Sequence, residues 1–446
     1  MPIEHEVVIL GAGVSGLACA ERLARASVDF LVLEAKPRIG GRVLTDYSLA
    51  DGHPIEVGAF YIHGKRVVTH AWVRDAGLRT RRVPVLQRGR FWIDGRHARF
   101  PYLMLPFHPT FGLRAFYQAA YALPKAMERY RGPDLSLAEF LDRVDALPGA
   151  RSLVTILRAH AAAADADEVG VRGPSEEDAL ATESFGYSNY QILEGYSDLV
   201  ARRAASLRDR IRLNTKVTRV ERNSARVRIE ALTPEGPEEF RAKRVVVTLP
   251  LGVLKADAVA FDPPLPDSKR RAIEAIAFGH AMSIQMRLRE GNLTRRLGDF
   301  GLMWGGGAST FHRPFVALRG RPEILAAFVV GREADRRARL RDDEAIAATL
   351  EELHAILPAG TREGILDAHL VQRWSADPDV LGGYTFLPPH VGVRERRALA
   401  EPVDGVLFFA GEATHTRGES ATVHGAIETG YRAAGETLRS LRAEAA

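Results

Sequence analysis

The stretch EVVILGAGVSGLACAERLARASVDFLVLEAKPRIGGR, Glu6 to Arg42, decides the fold. Glu6 to Leu10 is a compact apolar run closed by Gly11, the pattern of a buried strand. Val14 to Ala26 carries Leu17, Ala20, Glu21, Leu23 and Ala24 at helical spacing, and Asp29 to Leu33 is a second β-rich run. Together they make a strand–helix–strand unit of about 30 residues. Gly11, Gly13 and Gly16 form the G-x-G-x-x-G turn between strand and helix. Gly11 permits the tight turn, Gly13 lets backbone approach a pyrophosphate, and Gly16 lets helix pack on strand. The helix N-terminus offers free N–H groups and a positive dipole end to phosphates. Glu34 closes the second strand, where an acid can accept from ribose hydroxyls. A lone G-x-G-x-x-G would equally be a chance turn; the coincidence of strand, helix, strand and terminal acid argues for a dinucleotide.

Lys36-Pro-Arg-Ile-Gly-Gly-Arg42 follows. Gly40 and Gly41 can pass close to a ligand and Arg42 adds a cation near its phosphates. By residue type alone, a surface loop with a helix-breaking proline fits as well. Near the other end, LFFAGEATHTRGESATVHGAIETGYRAA (407–434) runs from a buried strand through Gly411-Glu412 into a helix opening near Thr422. Such a helix N-terminus can donate N–H groups to an electron-rich ring edge. A strand–loop–helix without a ligand is the competing interpretation.

These motifs together resemble the flavin-dependent amine oxidases. GAGVSGL with E-A-x-x-R-I-G-G-R is similar to their start. FAGEATH and ATVHGA are similar to the C-terminal FAD motif of monoamine and polyamine oxidases and flavin-dependent histone demethylases. VVVTLPLGVLKA (245–256), FDPPLP (261–266) and R-W-S-A-D-P-x-x-L-G-G-Y-T (373–385) fit the same pattern, so the resemblance spans nearly the whole chain. It implies that Gly11, Gly13, Gly16, Glu34, Gly41 and Arg42 hold the ADP half of FAD, with Val217 contacting adenine through its backbone. It implies that the segment Gly58-Ala59-Phe60-Tyr61-Ile62-His63 runs along the flavin, Trp374 packs on the ring, Gly411 and Glu412 serve the ribityl-phosphate side, and Thr422 and Val423 open the helix beneath the ring. Tyr61, His63, Tyr384 and Thr422 would face the substrate.

Three departures from the family pattern matter. Monoamine oxidases attach FAD through a cysteine just before the tyrosine matching Tyr384. Here that residue is Gly383, and the only cysteine, Cys19, sits in the first helix, so FAD is expected to be noncovalent. Most members carry a lysine near flavin N5 that assists reaction with oxygen; Ser283 stands at that place, no lysine lies between 270 and 300, and His280 is the neighbouring candidate cation. The loop 415–422 has no aromatic residue other than His415 to pair with Tyr384 across the amine, leaving Thr422 or Glu419 for that wall.

The pass along the chain finds helices and strands mixed throughout, without repeats. The expected fold class is α/β: a discontinuous Rossmann-like FAD-binding domain (1–80, 196–262 and 396–446) with an inserted α+β substrate-binding domain (81–195 and 263–395). Residues 101–145, with Phe107, Phe111, Phe116, Tyr117, Tyr121 and Tyr130, read as helical, broken by Pro101, Pro106, Pro109 and Pro124. A helix lying on a membrane is weaker there than the core of a substrate domain. Residues 151–170 read as helix, and 281–288 and 324–330 as strands.

Composition sets the remaining bounds. Of 446 residues, 46% are hydrophobic and 26% charged, the balance of an ordinary soluble globular protein. Lys+Arg 61 against Asp+Glu 56 leaves +5 without a basic block, so nucleic acid is not implied. One cysteine excludes a disulfide framework and a thiolate zinc site. With no apolar run of about 18 residues and no leader pattern in MPIEHEVVIL, no membrane span and a cytoplasmic location are expected.

The expected reaction is FAD-dependent oxidation of an amine C–N bond, with hydride transfer to flavin N5, imine hydrolysis, and O2 reduced to H2O2. Ser283 makes a dehydrogenase with another electron acceptor the alternative. A flavoprotein acting on C–C bonds and a weakly catalytic FAD-binding interaction module are the further alternatives. Glu183 and Glu419 are candidates to hold a distal ammonium. The sequence carries no signal for which amine is taken or for oligomeric state.

Overall fold

The computed structural model describes residues 4–83, 89–93, 96–99, 112–181, 188–223, 226–289, 301–357 and 366–445. The opening stretch folds as its pattern dictates. Strand Glu4–Leu10, helix Val14–Arg25 and strand Phe30–Leu33 follow one another, and the two strands pair in parallel. Gly11 takes φ +103°, and a Cβ on Gly16 would overlap the Gly11 carbonyl oxygen. Both glycines are therefore steric requirements of this strand-to-helix turn.

These strands belong to an eight-stranded sheet. Ile211–Arg212, Phe30–Leu33, Glu4–Leu10 and the second half of Gly236–Val247 lie side by side in parallel. The first half of Gly236–Val247 pairs antiparallel with Val227–Thr233, continuing to Lys216–Arg222 and Ala260–Asp262. Leu407–Phe409 joins in parallel to Val245–Val247, which brings the C-terminal region back beside the first strand. The last helix, Val423–Ala445, packs on Val14–Arg25. At their crossing a Cβ on Gly430 would overlap the Ser15 carbonyl oxygen, so the two backbones touch directly.

A second, seven-stranded sheet is formed from the middle of the chain, in the order Leu366–Arg373, Ala281–Leu288, Ile324–Val330, Ser309–His312, Leu302–Trp304, Gly89–Ile93, Arg96–Arg99. Its Ala281–Leu288 strand alternates. Met282, Ile284, Met286 and Leu288 enter an apolar core that also takes Leu353 and Ile356 of helix Asp342–Ile356. Ala281, Ser283 and Gln285 face the other way.

Several local expectations are corrected. Helix Pro148–Arg158 stops well before 170: a 3-10 turn follows, and Ala163 is left-handed at φ 54°. Pro124 does not break its helix. A π turn over Gln118–Ala122 precedes it, and this widened turn absorbs the proline's missing N–H so that helix continues to Arg129. Strand Asn189–Ile192 joins Ile62–His63 to Thr80–Val83. Glu183, Phe107, Phe111, Pro101, Pro106 and Pro109 lie outside the described residues. Among the described residues no helix is long and apolar enough to cross a membrane, and no group of side chains could hold a metal ion.

One buried acid marks the seam between the sheets. Glu56, in the short strand Ile55–Glu56, accepts from Thr45 Oγ1 at 2.7 Å and Tyr196 N at 2.8 Å. Burial pushes its carboxyl from 4.5 up to about 8. The folded chain thus keeps a proton that the unfolded chain releases above 4.5. Stability is fully present below that pH and declines as pH rises toward 8, by up to about 1.4 kcal/mol per pH unit. Urea unfolding at pH 5, 6.5 and 8 is expected to show this decline in the wild type and a flatter profile in Glu56→Gln; equal slopes would refute it.

Candidate active site

A single cleft gathers residues from both ends and the middle of the chain. One end is backbone. Gly13 caps helix Val14–Arg25 without any side-chain hydrogen bond, and the first turn holds no acid, so its amides are left for a ligand. Glu34 accepts from Ala12 N at 2.7 Å and Lys36 N at 3.0 Å, which ties the acid to the glycine turn. Burial raises its pKa, against the pull of those two amides. Gly13 and Gly40 bridge, and a Cβ on Gly41 would come within 3.2 Å of Gly13 Cα. Lys36 Nζ lies 2.6 Å from Asp377 and 3.4 Å from Asp379, and Lys216 Nζ lies 2.9 Å from Asp379. This ion-pair seam closes the Glu34 end against the segment after Trp374.

The middle is organised by Glu412. Its carboxylate accepts from Arg42 Nη1 at 2.9 Å, Thr385 Oγ1 at 2.6 Å and Ala421 N at 3.0 Å. Burial opposes its ionisation, but Arg42, Thr385 and Arg396 outweigh that and hold it below the usual carboxylate range. Arg42 also donates to the Gly383 carbonyl at 2.8 Å. Arg396, fully buried, donates to Thr385 Oγ1 and Ala413 O and pairs with Glu177.

The far end is ringed by aromatic groups. Trp374 Nε1 donates to Val57 O at 2.9 Å, fixing the indole beside the Gly58-Ala59 segment. Tyr61 and Tyr384 are half-buried on the cleft wall, and desolvation holds both phenols well above their ordinary pKa. His63 pairs with Asn189 Oδ1 at 2.7 Å, and burial takes its imidazole down to about 4. At neutral pH this end therefore contains neutral rings.

Of the residues expected in the site, Gly13, Glu34, Gly41, Arg42, Gly58, Ala59, Tyr61, His63, Trp374, Tyr384, Gly411, Glu412, Thr422 and Val423 line this cleft. Gly11 and Gly16 lie behind its wall, where they shape the turn. Val217 and Ser283 do not line it. Ser283 is buried and takes a hydrogen bond from Gln285 Nε2 at 2.9 Å, and the same nitrogen donates to Glu56 O. His280 lies 3.8 Å from Asp335 with a 40% exposed side chain, away from the cleft. Glu419 is paired with His424 at 2.9 Å, and His415 staples its own loop by accepting from Glu419 N at 3.0 Å. Sequence reasoning missed Thr248 and Phe328 on the lining, and the Lys36 seam. The Asp-Pro of R-W-S-A-D-P was the available signal for the last of these.

The cleft fits FAD. Backbone meets backbone at Gly13 and Gly41, and a Cβ on Gly411, at φ +117°, would meet no protein atom within 4 Å because it would enter the open cleft. Comparison with known proteins agrees. The family described as flavin containing amine oxidoreductase matches residues 14–438. Polyamine oxidase 4 of Oryza sativa subsp. japonica is 29% identical over 470 residues, covering 98% of this chain and 89% of that protein. The flavin-containing amine oxidase B of Canis lupus familiaris is 24% identical, covering 98% and 86%. Among solved structures, a putrescine oxidase bound to putrescine superposes with a TM-score of 0.83 at 21% identity, covering 98% and 99%. Cyclohexylamine oxidase from Brevibacterium oxydans IH-35A gives 0.82 at 22%, covering 99% and 100%.

Removing the Glu34 carboxylate strands the backbone amides of Ala12 and Lys36. Glu34→Ala is expected to weaken FAD binding by about 10- to 100-fold, from the loss of charge-assisted hydrogen bonds. Fluorescence titration of the apoprotein with FAD measures it, with Glu34→Gln expected in between; unchanged affinity would contradict the assignment.

Proposed function

The chain belongs to the flavin-containing amine oxidoreductase family, and from that premise we propose that it binds FAD noncovalently and oxidises the C–N bond of a small-molecule amine, with O2 as electron acceptor. The observation that carries this is one continuous cleft leading from the Glu34 glycine turn to a chamber of neutral rings around Tyr61 and Tyr384. When bound, FAD supplies a two-electron acceptor for the C–H bond next to the amine nitrogen, and water hydrolyses the resulting imine to an aldehyde or ketone.

The chain's own residues do the rest. Gly13, Glu34, Gly41 and Arg42 would grip the ADP half, and Glu412 would fix Arg42 against the cofactor's middle. Gly383 leaves no thiol for covalent attachment. Thr422 Oγ1 accepts from Gly425 N at 2.9 Å, so the hydroxyl caps the last helix and directs its remaining amides at the ring edge. Tyr61, His63 and Tyr384 are uncharged at neutral pH. A chamber walled by them disfavours an ammonium by desolvation and admits the free amine, whose lone pair the reaction needs. Held protonated by burial, the two phenols are walls and not bases. No general base is assigned.

A second reading has its own support. Where family resemblance places a lysine, Ser283 is bound to Gln285, and the strand's arginine, Arg287, is engaged with Asp51. A site without that cation favours an acceptor other than O2.

Anaerobic mixing with an amine panel is expected to bleach the flavin; no bleaching by any amine would sink amine oxidation and leave an FAD-binding interaction module. Repeating in air with peroxide measured separates oxidase from dehydrogenase. Ser283→Lys, checked for retained flavin, is expected to speed reoxidation by O2 by about tenfold, equivalent to about 1.4 kcal/mol of barrier.

A further inference from the structure

At its Glu34 end the cleft is walled by two separate parts. One is the edge of the eight-stranded sheet. Thr215 N donates to Glu34 O at 2.8 Å and Asn214 N to Lys36 O at 3.1 Å, so the turn before strand Lys216–Arg222 is tied by backbone to residues 34–36. The other is an arch over residues 374–382. Gly382 N donates to Trp374 O at 3.1 Å and closes the arch at its base, while Val380 N and Leu381 N donate to Asp377 O within it. The arch lies on helix Leu251–Lys255, where a Cβ on Gly252 would overlap the carbonyl oxygens of Val380 and Leu381.

Each part is internally fixed, yet among the described residues no backbone hydrogen bond joins one to the other. They meet through four charged side chains. Lys36 Nζ lies 2.6 Å and 2.8 Å from the two carboxylate oxygens of Asp377 and 3.4 Å from Asp379. Lys216 Nζ lies 2.9 Å from Asp379, and Asp379 N donates to Asp377 Oδ1 at 3.0 Å. Burial opposes ionisation of Asp379, but Lys216 and Lys36 outweigh it and hold its carboxyl below the usual carboxylate range. The side chains of Lys36, Asp377 and Asp379 are 15%, 11% and 21% exposed, and that of Lys216 is 44% exposed. An isolated exposed pair contributes about 0–1 kcal/mol; a partly buried network holds better and, with its outer member in solvent, is still weakened by salt. Lys36, Asp379 and Val380 line the cleft. A wall joined in this way yields first at the joint, because lysine stems can swing without breaking the backbone hydrogen bonds of either part.

We propose that this four-charge seam is a clasp on the cofactor: FAD enters and leaves at the Glu34 end by parting Lys36 and Lys216 from Asp377 and Asp379, and the seam sets the rate of exchange. This rests on the noncovalent FAD binding proposed above. The charges satisfy one another within the chain, so the closed clasp draws no contact from the cofactor. Its opening is a barrier to entry and to exit alike. Side chains acting only through their charge on an anionic cofactor would behave differently. Loss of a lysine would slow entry and speed exit, and loss of a carboxylate would do the reverse. With a clasp, either loss speeds both steps.

The test compares wild type, Lys216→Gln and Asp377→Asn. Neither residue lines the cleft. Exit is timed by the rise of free-FAD fluorescence when holoprotein is diluted, and entry by stopped-flow quenching when FAD is mixed with apoprotein. Both variants are expected to exchange FAD about three- to tenfold faster in each direction, the worth of one partly buried ion pair. Wild-type exit is expected to quicken as ionic strength rises from about 0.05 M to about 0.5 M, with a flatter response in both variants. A general loosening of the fold would speed exit and leave entry unchanged. That pattern, a slower exit in Asp377→Asn, or wild-type rates in both variants would overturn the clasp and leave FAD binding standing. Flavin that stays with acid-precipitated protein would overturn the noncovalent reading beneath it, and a chain that takes up no FAD would overturn both.

Discussion

The buried carboxylate of Glu412 is the constraint on which the rest depends. It sits at 4% exposure and satisfies its oxygens with Arg42, Thr385 and the amide of Ala421. These partners come from the N-terminal loop, the middle of the chain and the loop before the last helix. A buried charge stripped of one partner is destabilising by several kcal/mol, so the three segments can meet in one arrangement only. That arrangement aims Arg42, Gly411 and Thr422 into one space. Arg396 and Glu177 extend the network to helix Arg172–Leu180, coupling the cleft to the region between the sheets.

Below this constraint the cleft sorts its chemistry by position. The Glu34 end is amides, glycines and ion pairs, suited to phosphates and sugar hydroxyls. The Tyr384 end has rings held neutral by burial. A flavin amine oxidoreductase needs both: charge-matched contacts where the cofactor is anionic, and desolvation where the substrate must surrender its proton.

Much of this was legible in the sequence, because the N-terminal unit is local. Its strand and helix periods, three glycines and Glu34 lie within one stretch, and their steric reasons are short-range. The C-terminal strand, loop and helix were legible for the same reason, and AMSIQMRL was legible as a strand. What escaped was set by tertiary context. NYQI alternates over four residues only, too short a run to stand alone, and strand Asn189–Ile192 forms because two short strands flank it. Pro124 reads as a break until a π turn absorbs it. Lys36 and Asp377 are 341 residues apart, so nothing local pairs them. Glu419 looks like a free acid in the sequence and is engaged by His424 in the fold.

The contact at Gly430 has one more consequence. The two helices that touch there, Val14–Arg25 and Val423–Ala445, each begin at the cleft, and no methyl group fits between their backbones. Their two starting points are thereby held at a fixed separation, like the jaws of a locked gauge. A molecule long enough to reach from one to the other meets a helix N-terminus at each end. The span of the cleft is in this way set by a helix crossing.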